Sequence, residues 1–417
     1  MRFRLSSALL ALAAGLPGLQ AYDAMGVEIH GFVSQGYLLS ARNDGFLVEE
    51  SRQGSWDFRE AGINFSTSPY ENLRIGAQFY ARDLGNLGND KVELDWAYGD
   101  YKFHDAIGVR AGRYKIPRGL YNEVQDYDSL RTSVFLPQSV YNIRLRDFYA
   151  GMNGAQLYGR IDVGAAGAFT YQACLGNNNY DVENGSVAYY FNNALTSLAT
   201  TLGMRGATFE ATDLKSDYIM AGMVGWESTF GLRLGVSGIS TRNLEASGYF
   251  YTPTTTPFGT ITSLAPNGAT ATDWKSFVAS AEYVHDDLTL ASEVNQQTIV
   301  IPGAGQPHMI SGGGYVSAAY RVHEKVELGS YYSVNYGNLN DRHGEGQGSL
   351  RPPTTPNYYA WSRDTAFSVR VDPVPSWVVK VEAHYVDGTS LLSSTLSDMT
   401  EFERYWWYFA AKTSYSF

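Results

Sequence analysis

The sequence predicts an all-β protein, a transmembrane antiparallel β-barrel of about sixteen strands. Three observations predict it. The chain opens with a secretory leader, yet no later apolar run is long enough to cross a bilayer as a helix. Segments of about ten to fourteen residues alternate apolar with polar or small side chains, the period of a strand whose two faces see different solvents. The connections between these segments alternate long and short, as they do in barrels with short periplasmic turns and long extracellular loops. Hydrocarbon tolerates no unpaired backbone, so a membrane chain without helices must close into a cylinder.

Composition agrees. Of 417 residues, 18% are charged, 43 are Gly, 31 are Tyr and one is Cys. The mean hydropathy of −0.24 excludes a bundle of membrane helices. A single thiol, Cys174, cannot bridge internally, which excludes a disulfide scaffold.

The first element is Met1 to Ala21, MRFRLSSALLALAAGLPGLQA. Arg2 and Arg4 form a positive n-region, Leu5 to Leu16 a short apolar h-region, and Ala21 a small residue at a plausible cut: a signal peptide spanning 1–21. Its removal leaves 29 basic residues against 42 acidic ones, a net charge of −13. An acidic exported chain is a poor partner for nucleic acid. Residues 22–417 then form one barrel domain.

The predicted strands are 27–40, 56–67, 71–82, 91–103, 105–115, 147–160, 161–174, 216–228, 230–242, 274–286, 287–299, 312–323, 325–337, 361–372, 376–388 and 403–417. The last is the cleanest. Tyr405, Trp407, Phe409, Ala411, Thr413, Tyr415 and Phe417 make a lipid face, and the residues between them can meet water. The same phase places Arg74, Arg82, Arg110, Arg233, Arg321, Arg370, Lys380 and Arg404 on the lumen wall, with acids Glu60, Glu93, Asp95, Glu282, Glu293 and Glu327. Trp96, Tyr98, Trp226, Trp274, Trp361, Trp377, Tyr405 and Trp407 fall near strand ends, where amphipathic rings form girdles. Short turns fall at 68–70, 104, 160–161, 229, 285–287, 324 and 372–375. Long loops fall at 41–55, 83–90, 116–146, 175–215, 243–273, 300–311, 338–360 and 389–402.

The third long loop, 116–146, is unlike a water-exposed loop. It carries Leu120, Tyr121, Val124, Tyr127, Leu130, Val134, Phe135, Leu136, Val140 and Tyr141, which packing against an inner wall would bury. It also carries acids Glu123, Asp126 and Asp128 and bases Arg118, Arg131, Arg144 and Arg146. Two signs of charge separated across a narrow opening create a transverse field that sorts charged and dipolar solutes. The alternative reading of the same residues is a set of salt bridges pinning the loop to the wall.

No catalytic or metal motif appears. The seven His are scattered without paired metal spacing, and there is no G-x-S-x-G elbow or P-loop. Asn340 and Asp341 offer two oxygen ligands but lack the EF-hand pattern. No cofactor is expected, and no enzyme.

The chain resembles the bacterial outer-membrane porins in its leader, its first strand Glu28–Ile29–His30–Gly31–Phe32, its strand count and its ending in Tyr415–Ser416–Phe417. Gly112–Arg113–Tyr114–Lys115–Ile116–Pro117–Arg118–Gly119–Leu120 is similar to the G-x-x-K-x-P-x-G stretch of phosphate-selective porins, but no ladder of Arg in adjacent strands accompanies it. The resemblance implies a Gram-negative outer-membrane channel whose third loop folds into the lumen and narrows it. It implies a terminal address, Tyr415 and Phe417, read by the barrel-assembly machinery. It also implies a homotrimer in a bilayer with lipopolysaccharide. The expected function is passive diffusion of small hydrophilic solutes or ions. The alternatives are a substrate-specific channel for phosphate, a carboxylate or a hydrophobic compound, and an outer-membrane enzyme or adhesion barrel.

Overall fold

The computed structural model describes residues 22–417 except 25, 49, 184, 202–205, 257–258, 301–308, 347–355 and 393–400. The signal-peptide reading of 1–21 lies outside the described residues. A short strand, β1 (Tyr22–Ala24), folds back on the start of the next, with Tyr22 opposite Ile29. The wall then runs through β2 (Val27–Ala41), β3 (Phe58–Tyr70), β4 (Leu73–Leu84), β5 (Glu93–His104), β6 (Ile107–Lys115), β7 (Gly151–Asp162), β8 (Ala168–Asn177) and β9 (Thr208–Glu227). It continues through β10 (Leu232–Thr256), β11 (Gly259–His285), β12 (Leu288–Val300), β13 (Met309–His323), β14 (Val326–Tyr336), β15 (Trp361–Val374), β16 (Trp377–Gly388) and β17 (Tyr405–Ser416). From β2 to β17 each strand pairs antiparallel with the next, and β17 pairs with β2 from Trp407↔Ala41 to Ser416↔Phe32. The sixteen strands close without an edge.

The period-two pattern positions the faces. In β17, Tyr405, Trp407 and Phe409 are 43–45% exposed while Trp406, Tyr408, Ala410 and Lys412 between them are buried. Val33, Phe79, Val109, Leu157, Val224, Val236, Phe277, Val294, Val316, Phe367 and Val381 continue the exposed apolar outer surface around the barrel. The outer face is apolar and the inner face mixed, the inverse of a soluble globule.

The structure departs from the sequence reading in several places. The predicted loop 243–273 is a hairpin: β10 and β11 stay paired from Leu244↔Thr272 to Thr256↔Gly259. Its run of Thr, Tyr and Phe has strand propensity, and the prolines disguised it. The start of the predicted strand 147–160 is a helical turn, Arg146–Tyr149. The loop 175–215 contains a helix, Ser186–Thr201, whose first N–H and hydroxyl meet the Asp147 carboxylate at 2.7 and 2.9 Å. Among the predicted girdle residues, Trp226, Trp377, Tyr405 and Trp407 lie at or near the outer surface. Trp274 is instead buried inside against Phe148 and Tyr149. Trp361 is buried at the rim, and Tyr98 turns inward to hold Arg110.

The inside is not empty. At the long-loop end Phe46, Leu47, Val48 and Leu87 meet wall residues Leu38, Phe58, Leu84, Val386, Trp406 and Tyr408, with Val134 and Phe135 beneath them. A second apolar group gathers Tyr114, Ile116, Tyr149, Ile219, Ile239 and Trp274.

Candidate functional site: a charged loop across the bore

The segment 116–150 leaves β6, crosses the bore and returns to β7. Two glycines permit its launch. Gly112 has φ +130°, and a Cβ there would lie 2.3 Å from the Ala97 carbonyl oxygen. Gly119 has φ +58°, and a Cβ would lie 2.6 Å from Glu293. Both belong to the G-x-x-K-x-P-x-G stretch, so its glycines serve the backbone. Its Lys115 bonds Asp95 and Asp126.

Contacts tie the loop to most of the wall. The Gly119 N–H donates to Ser237 on β10 at 2.9 Å, and the Leu120 N–H to Glu293 on β12 at 2.9 Å. The Tyr121 hydroxyl reaches Glu282 on β11, and the Tyr127 hydroxyl reaches Gln78 on β4, each at 3.0 Å. Thr132 bonds Glu327 on β14. The Val134 and Phe135 N–H groups donate to Glu382 on β16 at 2.8 and 3.2 Å. Asn295 on β12 donates to the Ser139 carbonyl at 2.5 Å, and Ser333 on β14 bonds the Ser139 hydroxyl at 2.8 Å.

Six of the seven predicted constriction charges fall into three groups. Asp126, Arg146, Lys115 and Asp95 form one buried cluster, with Arg146 at 3.0 Å from Asp126 and 3.2 Å from Asp95. Asp128 centres a second: Lys412 lies at 2.7 Å, Arg131 at 2.8 Å, Lys380 at 3.5 Å, and the Ser414 hydroxyl donates at 2.6 Å. Lys412 also pairs with Glu60. Burial alone would push both carboxyls up. The cations around them outweigh it: Arg146 and Lys115 hold Asp126, and Lys412, Arg131 and Lys380 hold Asp128, well below the usual carboxylate range. Arg118 and Arg144 form the third group. Both are buried, and neither makes an ion pair among the described residues. Arg118 stacks over Tyr149 at 4.4 Å, and Arg144 over Tyr189 at 4.9 Å. Glu123 accepts from Gln172 on β8 at 3.1 Å, and burial raises its carboxyl above the ordinary value.

Of the predicted wall residues, Lys380 donates to the Ser133 carbonyl at 3.0 Å. Arg82 grips Asp147 at 2.9 Å, and Arg370 donates to the Ser129 carbonyl at 2.7 Å. Arg110 pairs with Asp100 at 2.9 Å, Arg321 with Glu327 at 2.6 Å, and Arg74 donates to Ser66 at 3.1 Å, all toward the short-turn end. Arg404 is not on the lumen wall. It sits at the long-loop rim, 2.6 Å from Asp387 and over the outward Tyr405 ring, because it precedes β17, where the strand's phase no longer governs it. Tyr415 lies in β17, and Phe417 closes the seam by exchanging two backbone hydrogen bonds with Gly31 at 2.9 and 3.0 Å.

Sequence reasoning missed Lys412, Glu382 and His384 as loop anchors. His384 is buried with Asp364 at 3.0 Å and Glu382 at 2.6 Å, and this orients the carboxylate that takes the Val134 and Phe135 N–H groups. The signal was present, since all three share the inward phase of their strands. Between the loop and the β3–β17 wall lies a cavity of about 30 Å³. Glu60, Asp126, Arg131, Arg146 and Lys412 line it, together with Phe58 and Phe135. Among the described residues no group of three or more His, Cys, Asp or Glu is arranged to hold a metal.

No protein-family model matches the chain, and no curated protein matches it. Solved structures do. OmpT of Vibrio cholerae, folded in vitro, is similar with a TM-score of 0.56 at 12% identity, covering 96% of this chain and all of that one. Salmonella typhi OmpF, in complex with daunomycin, gives 0.54 at 11% identity over 94% of this chain and 97% of that one. An anion-selective porin from Comamonas acidovorans gives 0.52 at 10% identity over 94% and 99%. At these identities the likeness speaks for the fold: from end to end, the chain has the sixteen-stranded barrel architecture of outer-membrane porins.

Proposed function

We propose that the protein is an outer-membrane porin: a channel through which small hydrophilic solutes or ions diffuse passively, with 116–146 as its constriction. The observation that carries this reading is a charged loop strapped across the inside of a closed, outwardly greasy wall. Fixed charges beside a narrow opening sort solutes by size and charge without tight binding. The short-turn end then faces the periplasm and the long-loop end faces outside, amid lipopolysaccharide. The leader at 1–21 directs export. The barrel-assembly machinery reads Tyr415 and Phe417, and three copies associate through the apolar wall. No chemical step is involved. A second reading, a channel for one solute class, is favoured by the small cavity at the loop and by the apolar residues above it.

Swelling of liposomes loaded with the purified protein tests the proposal. Pentoses should enter faster than disaccharides, with a steep fall in rate between them. No swelling with any solute would overturn it. Fast entry of one compound class against slow entry of others of equal size would favour the second reading.

A further inference from the structure

The crossing loop has committed its acceptors and kept donors in hand. Its three carboxylates are all engaged: Glu123 accepts from Gln172, Asp126 from Arg146 and Lys115, and Asp128 from Arg131 and Ser414. Six buried side-chain atoms of the loop have no hydrogen-bond partner among the described residues, and all six are guanidinium nitrogens. They are Nη1 and Nη2 of Arg118, Nε of Arg131, and Nε, Nη1 and Nη2 of Arg144. Elsewhere among the described residues the unspent buried acceptors are neutral, amide oxygens of Asn86, Gln156 and Asn295 and a few hydroxyls, and no buried carboxylate oxygen is left over.

Arg118 and Arg144 are 1% and 2% exposed, and neither makes an ion pair among the described residues. Glu293, beside Gly119, gives its oxygens to the Leu120 N–H and to the Ser280 and Tyr315 hydroxyls. Tyrosine faces hold both cations. Arg118 lies 4.4 Å over Tyr149 and 5.7 Å over Tyr141, and its Nε donates to Ser276 at 3.3 Å. Arg144 lies 4.9 Å over Tyr189. A ring face attracts a cation and leaves its in-plane N–H groups free. These groups adjoin the cavity of about 30 Å³ between the loop and the β3–β17 wall. Arg131 borders it, as do Tyr141, which carries Arg118, and Ile143, which precedes Arg144.

We infer that the constriction passes small inorganic anions in preference to cations, and that the free guanidinium nitrogens of Arg118 and Arg144, joined by Arg131 Nε, select them. The inference rests on the channel reading and names the solute class for that bore. An ion entering a narrow passage exchanges its water for whatever the wall offers. A cation needs oxygens, and the loop's carboxylates are already held by lysine and arginine. A halide or small oxyanion needs N–H donors, which these arginines hold unspent. Buried charges are little screened by salt, so the preference persists at high ionic strength.

Reversal potentials in a tenfold potassium chloride gradient across planar bilayers test it, with folding verified by the mobility difference between boiled and unboiled samples. Chloride should permeate the unmodified protein at least threefold more readily than potassium. Arg118→Gln combined with Arg144→Gln should bring the ratio to one or below. Arg118→Lys combined with Arg144→Lys, which keeps charged donors, should retain the preference for chloride. A second readout needs no conductance. Detergent-folded protein should keep its compact gel band to a higher temperature in sodium chloride than in sodium gluconate of equal ionic strength, gluconate being too large for the cavity. The double Gln variant should lose that difference. Conductance with potassium permeability equal to or above that of chloride would overturn the inference and leave the channel reading standing. A ratio unchanged by the two Gln substitutions would also overturn it, the free nitrogens then being spent on water. Absence of conductance alongside an intact chloride effect would overturn the channel reading and leave the anion site standing. Should the Gln variant not fold, equal thermal behaviour of the unmodified protein in chloride and gluconate would overturn the arginine assignment.

Discussion

Replacing Asp128 with Asn isolates the pin that holds the tip of the crossing loop. The carboxylate has Lys412, Arg131 and Lys380 within 3.5 Å and accepts from Ser414 at 2.6 Å. Asn keeps the shape and removes the charge. Lys412 retains Glu60, but Lys380, with 1% of its side chain exposed, is left with the Ser133 carbonyl, and Arg131 with backbone carbonyls. Removing one partner of a buried ion pair costs about 3–5 kcal/mol. At about 1.4 kcal/mol per tenfold, that is roughly two to three and a half powers of ten. Around the wall the strands pair on without the loop, so the cost falls on its attachment, not on the barrel. Single-channel recordings should show a larger, noisier conductance, with boiled and unboiled gel mobility unchanged. The pH dependence carries a sign. The folded-state carboxyl titrates below its unfolded value because burial is outweighed by the cations. Its stabilisation is then present above the unfolded value, about 3.9, and is lost only as pH falls through the lower folded one. The unmodified channel should therefore stay quiet at pH 4, and the variant should be noisy at pH 4 and pH 7 alike. A folded Asp128→Asn protein with unmodified conductance and noise would show that the Asp128 carboxylate does not hold the loop tip in place.

Three further substitutions probe other parts of the structure. Burial raises the Glu123 carboxyl, so its folded form loses stability as pH rises through the raised value. Glu123→Gln, which keeps an acceptor for Gln172, should equal or exceed the unmodified melting temperature at pH 8 and lose that advantage at pH 4. Gly31→Ala places a methyl 2.5 Å from the Phe417 ring and 2.8 Å from the Gly62 carbonyl; a loss of about 1–3 kcal/mol should lower the temperature at which the compact gel band converts. Arg144→Gln removes a buried cation that no carboxylate balances among the described residues, and should move the reversal potential in a salt gradient toward cations. Arg146→Gln should instead loosen the Asp126 cluster and raise conductance noise.

Much of the architecture was legible because a barrel wall writes its environment into every second residue. Tyr405 to Phe417 show lipid and lumen in strict alternation, and the sixteen wall strands were read from runs of this period, although 147–160, 161–174 and 216–228 alternate only weakly. What local pattern could not show was tertiary. Trp274 has the strand-end position of a girdle residue but the phase of an inner one, and Tyr149 and Phe148, far along the chain, cover it. The charges of 116–146 were visible as charges. Their pairing with Lys115, Lys380 and Lys412 depends on how the loop crosses, which no spacing encodes. Phe46, Leu47 and Val48 stand out as an apolar triplet inside a polar loop, yet only the fold shows that they enter the bore.

On the proposed reading, this barrel conducts through a narrow passage beside its crossing loop. Purified protein inserted into planar bilayers in symmetric salt tests it most directly. Discrete, ohmic steps of small, uniform size, abolished when the protein is boiled before insertion, are predicted. A protein that inserts as a heat-modifiable barrel and yet leaves the membrane silent across the voltage range would contradict it.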